Sequence, residues 1–212
     1  MICFFVPDFM IHFNVESISK MERFYRANFI NALTGFKSPV LIGTSNVKGV
    51  HNLAIFNNLV HLGADPALIG FVNRPRESAP HTLANIEATG FYTINHISQT
   101  FIEQAHQTSA KYAEGISEFE KTGLTVQQIA NGKAPFVEES PLKFALALRE
   151  IIPIKFNNTY FVVGAITDIY LDDITIEDDG CMNLQQADII ASLGINGYYG
   201  TQKIIKLPYA KP

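Results

Sequence analysis

Two cysteines are all that the 212 residues contain, Cys3 and Cys181. They stand far apart. No CxxC, no zinc-ligand spacing and no disulfide framework can be built from them. A reducing, cytoplasmic setting is therefore the expectation. Charge is also scarce, at 17% of residues, below the usual quarter of a water-soluble protein. The balance is slightly acidic, with a net charge of −4. No long Lys/Arg block occurs, so the electrostatic footprint of a nucleic-acid binder is missing. Apolar runs stay well short of the roughly 18–20 residues that span a bilayer, so no membrane partner is expected. The apolar opening stretch lacks a basic leader and a cleavage site and carries Pro7 and Asp8, which argues against a signal peptide. Residues 1–20 read as an N-terminal extension, with Met10 or Met21 as alternative starts, and residues 21–212 as one domain.

Several catalytic signatures are missing too. There is no HExxH, no GxSxG elbow, no phosphate-loop GxxxxGK[ST] and no GxGxxG. None of the histidines pairs with Cys or Asp at metal-ligand spacing, so no metal is expected. The acidic doublets Asp172-Asp173 and Asp178-Asp179 read as solvated turns.

What the chain does have is apolar material: 47% hydrophobic residues and a mean hydropathy of +0.11. With so little charge, this hints at apolar surface covered by a second subunit or by a cofactor. A helix is predicted over 17–34, with Ser19 and Glu22 at capping-box spacing and Met21, Phe24, Tyr25, Ile30 and Leu33 on one stripe, ending at Gly35. Buried strands are predicted at 39–44, 53–56 and 68–72, followed by a loop over 73–80. A short helix over 82–88 closes at Gly90, and a strand covers 91–95. A longer helix is predicted over 99–112, and a polar stretch over 114–122. Strands return at 144–152 and 160–170, and a turn falls at 178–180. Strands spread over the whole chain, with short helices between them, indicate one β-rich α+β domain, a barrel in preference to a regular βαβ array.

Polar residues gather at the ends of these strands: Thr44, Ser45 and Asn46; Asn52 and Asn57 around Leu53, Ala54, Ile55 and Phe56; and Arg74, Arg76, His81 and Thr82. The last group stands just before a predicted helix start, where positive charge, hydroxyls and backbone N–H groups suit a phosphate. The middle group offers backbone donors flanked by apolar side chains, as a flat heterocycle such as the isoalloxazine ring of flavin mononucleotide (FMN) requires. The same residues also suit plain structural roles: Thr82 as a helix cap, Asn52 as a turn residue, Arg74 as a surface charge.

In order and spacing the segments resemble the flavin reductase-like family, over about Phe36 to Tyr170. Ser38 to Thr44 looks like its first barrel strand. Asn52 to Asn57 resembles its N-x-A-x-F-S segment and Asp65 to Phe71 its P-P-L strand. His81-Thr82-Leu83-Ala84-Asn85-Ile86 with Gly90 to Asn95 resembles its T-x-x-N-I…T-G-x-F-x-x-N stretch, and Tyr160 to Ile166 its late G-x-V strand. The resemblance implies an FMN-binding split β-barrel with peripheral helices, a homodimer with one FMN per subunit, and oxidoreductase activity with NAD(P)H. It places Thr44, Ser45 and Asn46 along the ribityl and phosphate, Asn52–Asn57 beside the ring, and Arg74, Arg76, His81 and Thr82 at the phosphate.

Two features depart from the pattern. Asn57 stands where the family often has Ser or Thr, and residues 191–199 lack the arginine of the family's Gly-Arg-x-Gly-Gly segment. No catalytic side chain is assigned. His51, beside the ring segment, is the residue to watch, with a structural or dimer-contact role as its alternative. Other readings remain: a flavin carrier or sensor without turnover, a flavin-free ligand-binding barrel, and a pyridoxamine-oxidase-like barrel. The last would want more basic residues than are present.

Overall fold

A computed structural model describes residues 10–113, 115–129 and 132–211. Cys3, Pro7, Asp8 and the rest of the opening stretch lie outside the described residues. Among those described, no helix is long and apolar enough to cross a membrane.

The frame is a seven-stranded antiparallel sheet in the order β2-β1-β5-β8-β9-β4-β3. Its strands are β1 (Val40–Ser45), β2 (His51–Phe56), β3 (Val60–Ala64), β4 (Ala67–Asn73), β5 (Phe91–His96), β8 (Leu142–Ile154) and β9 (Thr159–Leu171). The sheet curls on itself. Phe56 of edge strand β2 meets Phe71 of β4 edge-to-face at 5.1 Å, although four strands stand between β2 and β4 in the sheet order. Phe71 in turn meets Tyr92 of β5 at 5.6 Å. Val40, Ile42, Ile94, Leu146 and Val162 fill the interior with them. Helix α3 (Pro80–Thr89) closes one end by burying Leu83 and Ile86 in the same cluster.

Strand β1 is buried at every residue because it is covered on both sides. Val40 and Ile42 face the barrel interior. Leu41 joins a second cluster with Leu53, Ile97, Phe101, Ala105, Phe119 and Ile190. That cluster is supplied by a 3₁₀ turn at Gln99–Phe101, α4 (Ile102–Gln107), α5 (Glu118–Thr122) and the chain around Ile190. Burial on both faces explains why 39–44 reads as a continuous apolar run.

Several expectations are corrected. The helix predicted over 17–34 is two: α1 (Val15–Ser19) and α2 (Arg23–Ala32). The capping box belongs to Asn14 and Ser17, and the Glu22 carboxylate instead accepts from the N–H groups of Phe24 and Tyr25. A new cap at Glu22 starts a new helix, so the chain bends at Lys20-Met21. Helix α3 starts earlier than expected, with Pro80 in its first turn, where a missing N–H costs nothing. Thr82 is therefore inside the helix and is not its cap. Gly90 ends α3 with a left-handed φ of 74° and donates to Ile86 O. The helix expected over 99–112 stops at Gln107. The polar stretch 114–122 yields only α5, and Glu114 lies outside the described residues.

Two short ribbons complete the chain, β6 (Val126–Gln127) with β7 (Phe136–Val137) and β10 (Ala191–Leu193) with β11 (Gly197–Tyr199). The second folds back onto the start of the domain. Lys37 and Ser192 exchange backbone hydrogen bonds at 2.9 and 2.8 Å, and Ile195 N–H donates to Asn28 Oδ1 at 3.0 Å.

Candidate flavin site

The open side of the barrel lies between β2 and β3, where the chain runs through Asn57 and Asn58. Asn58 replaces a strand there. Its side chain donates to Val72 O at 2.9 Å and accepts from Val72 N–H at 3.1 Å. The β3–β4 ladder pairs Val60 with Gly70, so Asn58 stands opposite Val72 in the same register. Its amide extends the ladder by one peptide-like step, and the main chain is released to border a cleft.

That cleft has a volume of about 430 Å³, within the range of small-molecule and cofactor pockets. One wall is the end of β2, with Asn52, Ala54, Ile55, Phe56 and Asn57. A second is the end of β4 and the loop into α3, with Arg74, Glu77, Ser78, His81 and Thr82. A third runs from His106, in the last turn of α4, to Tyr112, with Glu118. The fourth is the β10–β11 ribbon, from Ser192 to Tyr198.

The donors match a flat, phosphate-bearing ligand. Residue Ala79 precedes α3 and provides no side-chain cap, so the first N–H groups of the helix are left without a protein partner of that kind. Arg74, Ser78 and His81 line the cleft beside this helix start, with the Ser78 hydroxyl itself donating to Pro75 O at 2.9 Å. This is the chemistry of an anion site. Along β2, the Leu53 N–H points out of the sheet and donates to Glu118 Oε2 at 2.9 Å. In an antiparallel edge strand such groups recur every second residue, so the Ile55 N–H points the same way, between the apolar side chains of Ile55 and Phe56. A backbone donor set in an apolar slot is what the edge of an isoalloxazine ring needs.

The structure brings Asn52, Ala54, Ile55, Phe56, Asn57, Arg74, His81 and Thr82 to this cleft. Within it, Asn52 Nδ2 donates to Thr82 Oγ1 at 3.3 Å, and both residues are buried. Asn57 Nδ2 donates to Gly194 O at 3.2 Å, which pins the β10–β11 ribbon as a wall.

The other expected residues are placed elsewhere. Thr44 is fully buried and accepts from Asn85 Nδ2 at 3.0 Å. Asn46 folds the β1–β2 turn through the N–H groups of Lys48 and Val50. The Leu53 side chain belongs to the second apolar cluster. Arg76 is turned to Glu87 and Tyr160. Ser45 and His51 hold each other, Oγ to Nδ1, at 3.0 Å. The far nitrogen of His51 meets Gln128 Nε2, also at 3.0 Å. Burial lowers the pKa of His51. Both ring nitrogens of His51 are thus engaged, and the residue does not line the cleft.

Residues that the sequence did not single out also line the cleft: His106, Lys111, Tyr112, Glu118 and Tyr198. None sits in a local motif. Among the described residues no group of three or more His, Cys, Asp or Glu is placed to hold a metal ion.

A family model described as "Flavin reductase like domain" matches residues 33–184. A split-barrel-domain protein from Shewanella frigidimarina NCIMB 400, provisionally assigned as a flavin reductase, is 47% identical. It has a TM-score of 0.91, with 95% of this chain and all of that one covered (100%). Nitrilotriacetate monooxygenase component B from Bacillus cereus has a TM-score of 0.82 at 16% identity, covering 95% and 100%. Flavoredoxin of Desulfovibrio vulgaris (Miyazaki F) has a TM-score of 0.71 at 22% identity, covering 83% and 92%. These last two share the fold. The sheet that curls on itself, the cleft at its open side and the family match over most of the chain agree: the protein belongs to the flavin reductase-like family and has its split-barrel fold.

Proposed function

We propose that the protein is an FMN-dependent oxidoreductase that takes a hydride from NADH or NADPH. The observation that carries this reading is the convergence, on one cleft, of an uncapped helix start with Arg74 and His81 and of an apolar slot along β2.

Bound FMN would supply the chemistry, accepting a hydride from NAD(P)H at N5 and passing electrons on. The chain's own residues bind and orient it. Arg74, His81 and the first α3 N–H groups would hold its phosphate, with Ser78 beside them. Thr82, fixed by Asn52, sets the wall between phosphate and ring. Ala54, Ile55 and Phe56 would shield its ring from water, and the Ile55 N–H would be available to the ring's hydrogen-bonding edge. The neighbours named after a monooxygenase component and a flavoredoxin support redox use of this fold, with electrons handed to a further partner. Choice of FMN over FAD rests on the cleft having one phosphate-suited end.

Homodimerisation in the cytoplasm, and residues 1–20 as an extension to the flavin-binding domain, belong to the same proposal. Phe24, Tyr25, Ile30 and Leu33 of the α2 region stay exposed, and α2 buries none of its residues. A ten-residue helix with an uncovered apolar face gains little alone, and a second copy would cover it. In sedimentation, Leu33→Glu should shift a dimer towards monomer, whereas an unchanged mass would remove α2 from the interface.

The deciding test is an absorbance spectrum of the purified protein before and after anaerobic NADH or NADPH. Yellow protein that bleaches supports the oxidoreductase. Yellow protein that neither nucleotide bleaches supports a carrier. A colourless protein that fails to take up FMN overturns both readings.

A further inference from the structure

His106 and Tyr198 come from segments 92 residues apart and meet on the cleft wall, with Nδ1 2.8 Å from the phenolic oxygen. Their rings lie edge to face at 5.7 Å. His106 is exposed to solvent at the C-terminal end of α4, whereas Tyr198 on β11 is half-buried. Among the described contacts, His106 is the only hydrogen-bond partner of the Tyr198 hydroxyl. Tyr112, the other phenol on this wall, is held by its own segment, with Gln107 Nε2 donating to it at 3.0 Å.

We propose that His106 and Tyr198 form a two-residue proton path from solvent into the cleft, serving an electron acceptor of the quinone class. The path rests on the flavin reading above. It is built for an acceptor whose reduction leaves a charged oxygen. A quinone carbonyl that receives two electrons and one proton as a hydride equivalent from reduced flavin becomes an aryloxide. Tyr198 transfers its O–H proton to that oxygen, and a hydroquinone results. The Tyr198 phenolate then takes the Nδ1–H proton of His106 across the 2.8 Å bond. As Nδ1 gives up its proton, Nε2 of exposed His106, the nitrogen turned away from Tyr198, takes one from water.

Donor and acceptor are both aromatic oxygen acids, so the transfer between them is a general-acid step of modest driving force. Burial raises the pKa of Tyr198, so its hydroxyl stays protonated at neutral pH. The titratable groups that share the cleft with the pair are Lys111 and Tyr112 after α4, Glu118 on α5, and Glu77 and His81 beside Arg74. Lys111 adds positive charge that favours an anionic product oxygen on this wall.

The test compares two acceptors in FMN-loaded protein. 2-Methyl-1,4-naphthoquinone needs a proton with its electrons, and ferricyanide takes electrons alone. In Tyr198→Phe the ratio of quinone to ferricyanide turnover should fall by roughly 100-fold, the low end of what general-acid catalysis contributes. In His106→Gln the same ratio should fall in the same direction as in Tyr198→Phe. A ratio that stays constant, whether both rates fall together or neither falls, overturns the path and leaves the pair a structural contact.

A second measurement needs neither turnover nor flavin. The imidazole ¹⁵N signals of His106 are titrated in wild type and in Tyr198→Phe. A changed midpoint shows the hydrogen bond coupling the two groups in solution, and an unchanged one overturns the path. If wild-type protein reduces neither acceptor after FMN loading, the oxidoreductase reading fails, and the path falls with it for a separate and visible reason.

Discussion

Arg76 forms a two-point ion pair with Glu87, Nη1 to Oε2 at 2.7 Å, while its guanidinium lies 4.7 Å above the Tyr160 ring. The pair ties the loop before α3 to the body of that helix and to β9. Both partners favour the charged form of the other: Glu87 is held below its usual pKa and Arg76 above its own, the Glu87 contact being the first cause. With about two-fifths of each side chain exposed, solvent screens much of this attraction. Its main effect is orientation. It leaves Arg74 as the arginine that lines the cleft.

The two arginines should therefore separate experimentally. Arg74→Ala should weaken FMN binding by roughly 1–3 kcal/mol, as expected for loss of a charge-assisted hydrogen bond. Arg76→Ala should lower the melting temperature and affect affinity less, by loosening the loop. Fluorescence titration of FMN, with thermal melts alongside, measures both. Equal losses of affinity would mean that Arg76 also reaches the ligand.

Thr82 and Asn52 test the middle of the cleft. The Thr82 hydroxyl accepts from Asn52 Nδ2, and both side chains are removed from water. Thr82→Val keeps the shape and leaves a buried amide donor unpaired. A stability loss of about 1–3 kcal/mol is expected in denaturant titrations, with weaker FMN binding. Thr82→Ser, which keeps the acceptor, should recover most of both. A valine variant as stable as wild type would show that Asn52 finds another partner.

The features legible in the sequence are those with local causes. The β1 run, the Gly90 stop and strand β5 each follow from residues within a few positions. So do the apolar β2 segment and the basic loop that meet at the cleft. Features with remote causes were not legible. Arg76 is chemically indistinguishable from Arg74 until Glu87 is folded beside it. Residues 191–199 form strands of three residues each, held by Asn28, Lys37 and Asn57 from the other end of the chain. Nothing in their own composition marks them as a cleft wall, and His106 meets Tyr198 only because that wall is in place. Strand β3 carries His61 and Gly63 and is exposed along most of its length, so it has no apolar alternation to read.

Gly43 tests how tightly the barrel is closed over β1. A Cβ built there falls on the Pro135 carbonyl oxygen and 2.5 Å from Thr93 Oγ1. These two atoms are joined by a buried hydrogen bond of 2.6 Å, so neither can move away freely. Gly43→Ala should destabilise the protein by roughly 1–3 kcal/mol through overpacking. Denaturant unfolding measures the loss. A neutral alanine would mean that the Pro135 segment can swing outward, and the FMN affinity should then be unchanged as well.

His96 sets the acid limit of the fold. It lies at the end of β5, with Ser38 Oγ 3.2 Å from Nδ1 and the Phe144 ring 6.1 Å away. Burial lowers its pKa from 6.5 to about 4. The unfolded chain therefore takes up this proton first as pH falls. Stability is unaffected above about pH 6.5, declines between there and about pH 4, and levels off below. The limiting loss from this group alone is about 3 kcal/mol. Thermal melts in steps from pH 7 to pH 4 should show the decline in wild type. His96→Gln fills much of the same space without titrating and should flatten that limb, although it can start from a lower melting temperature. If wild type and His96→Gln lose stability in parallel across this range, another group carries the acid sensitivity, and His96 is open to protons in the folded protein.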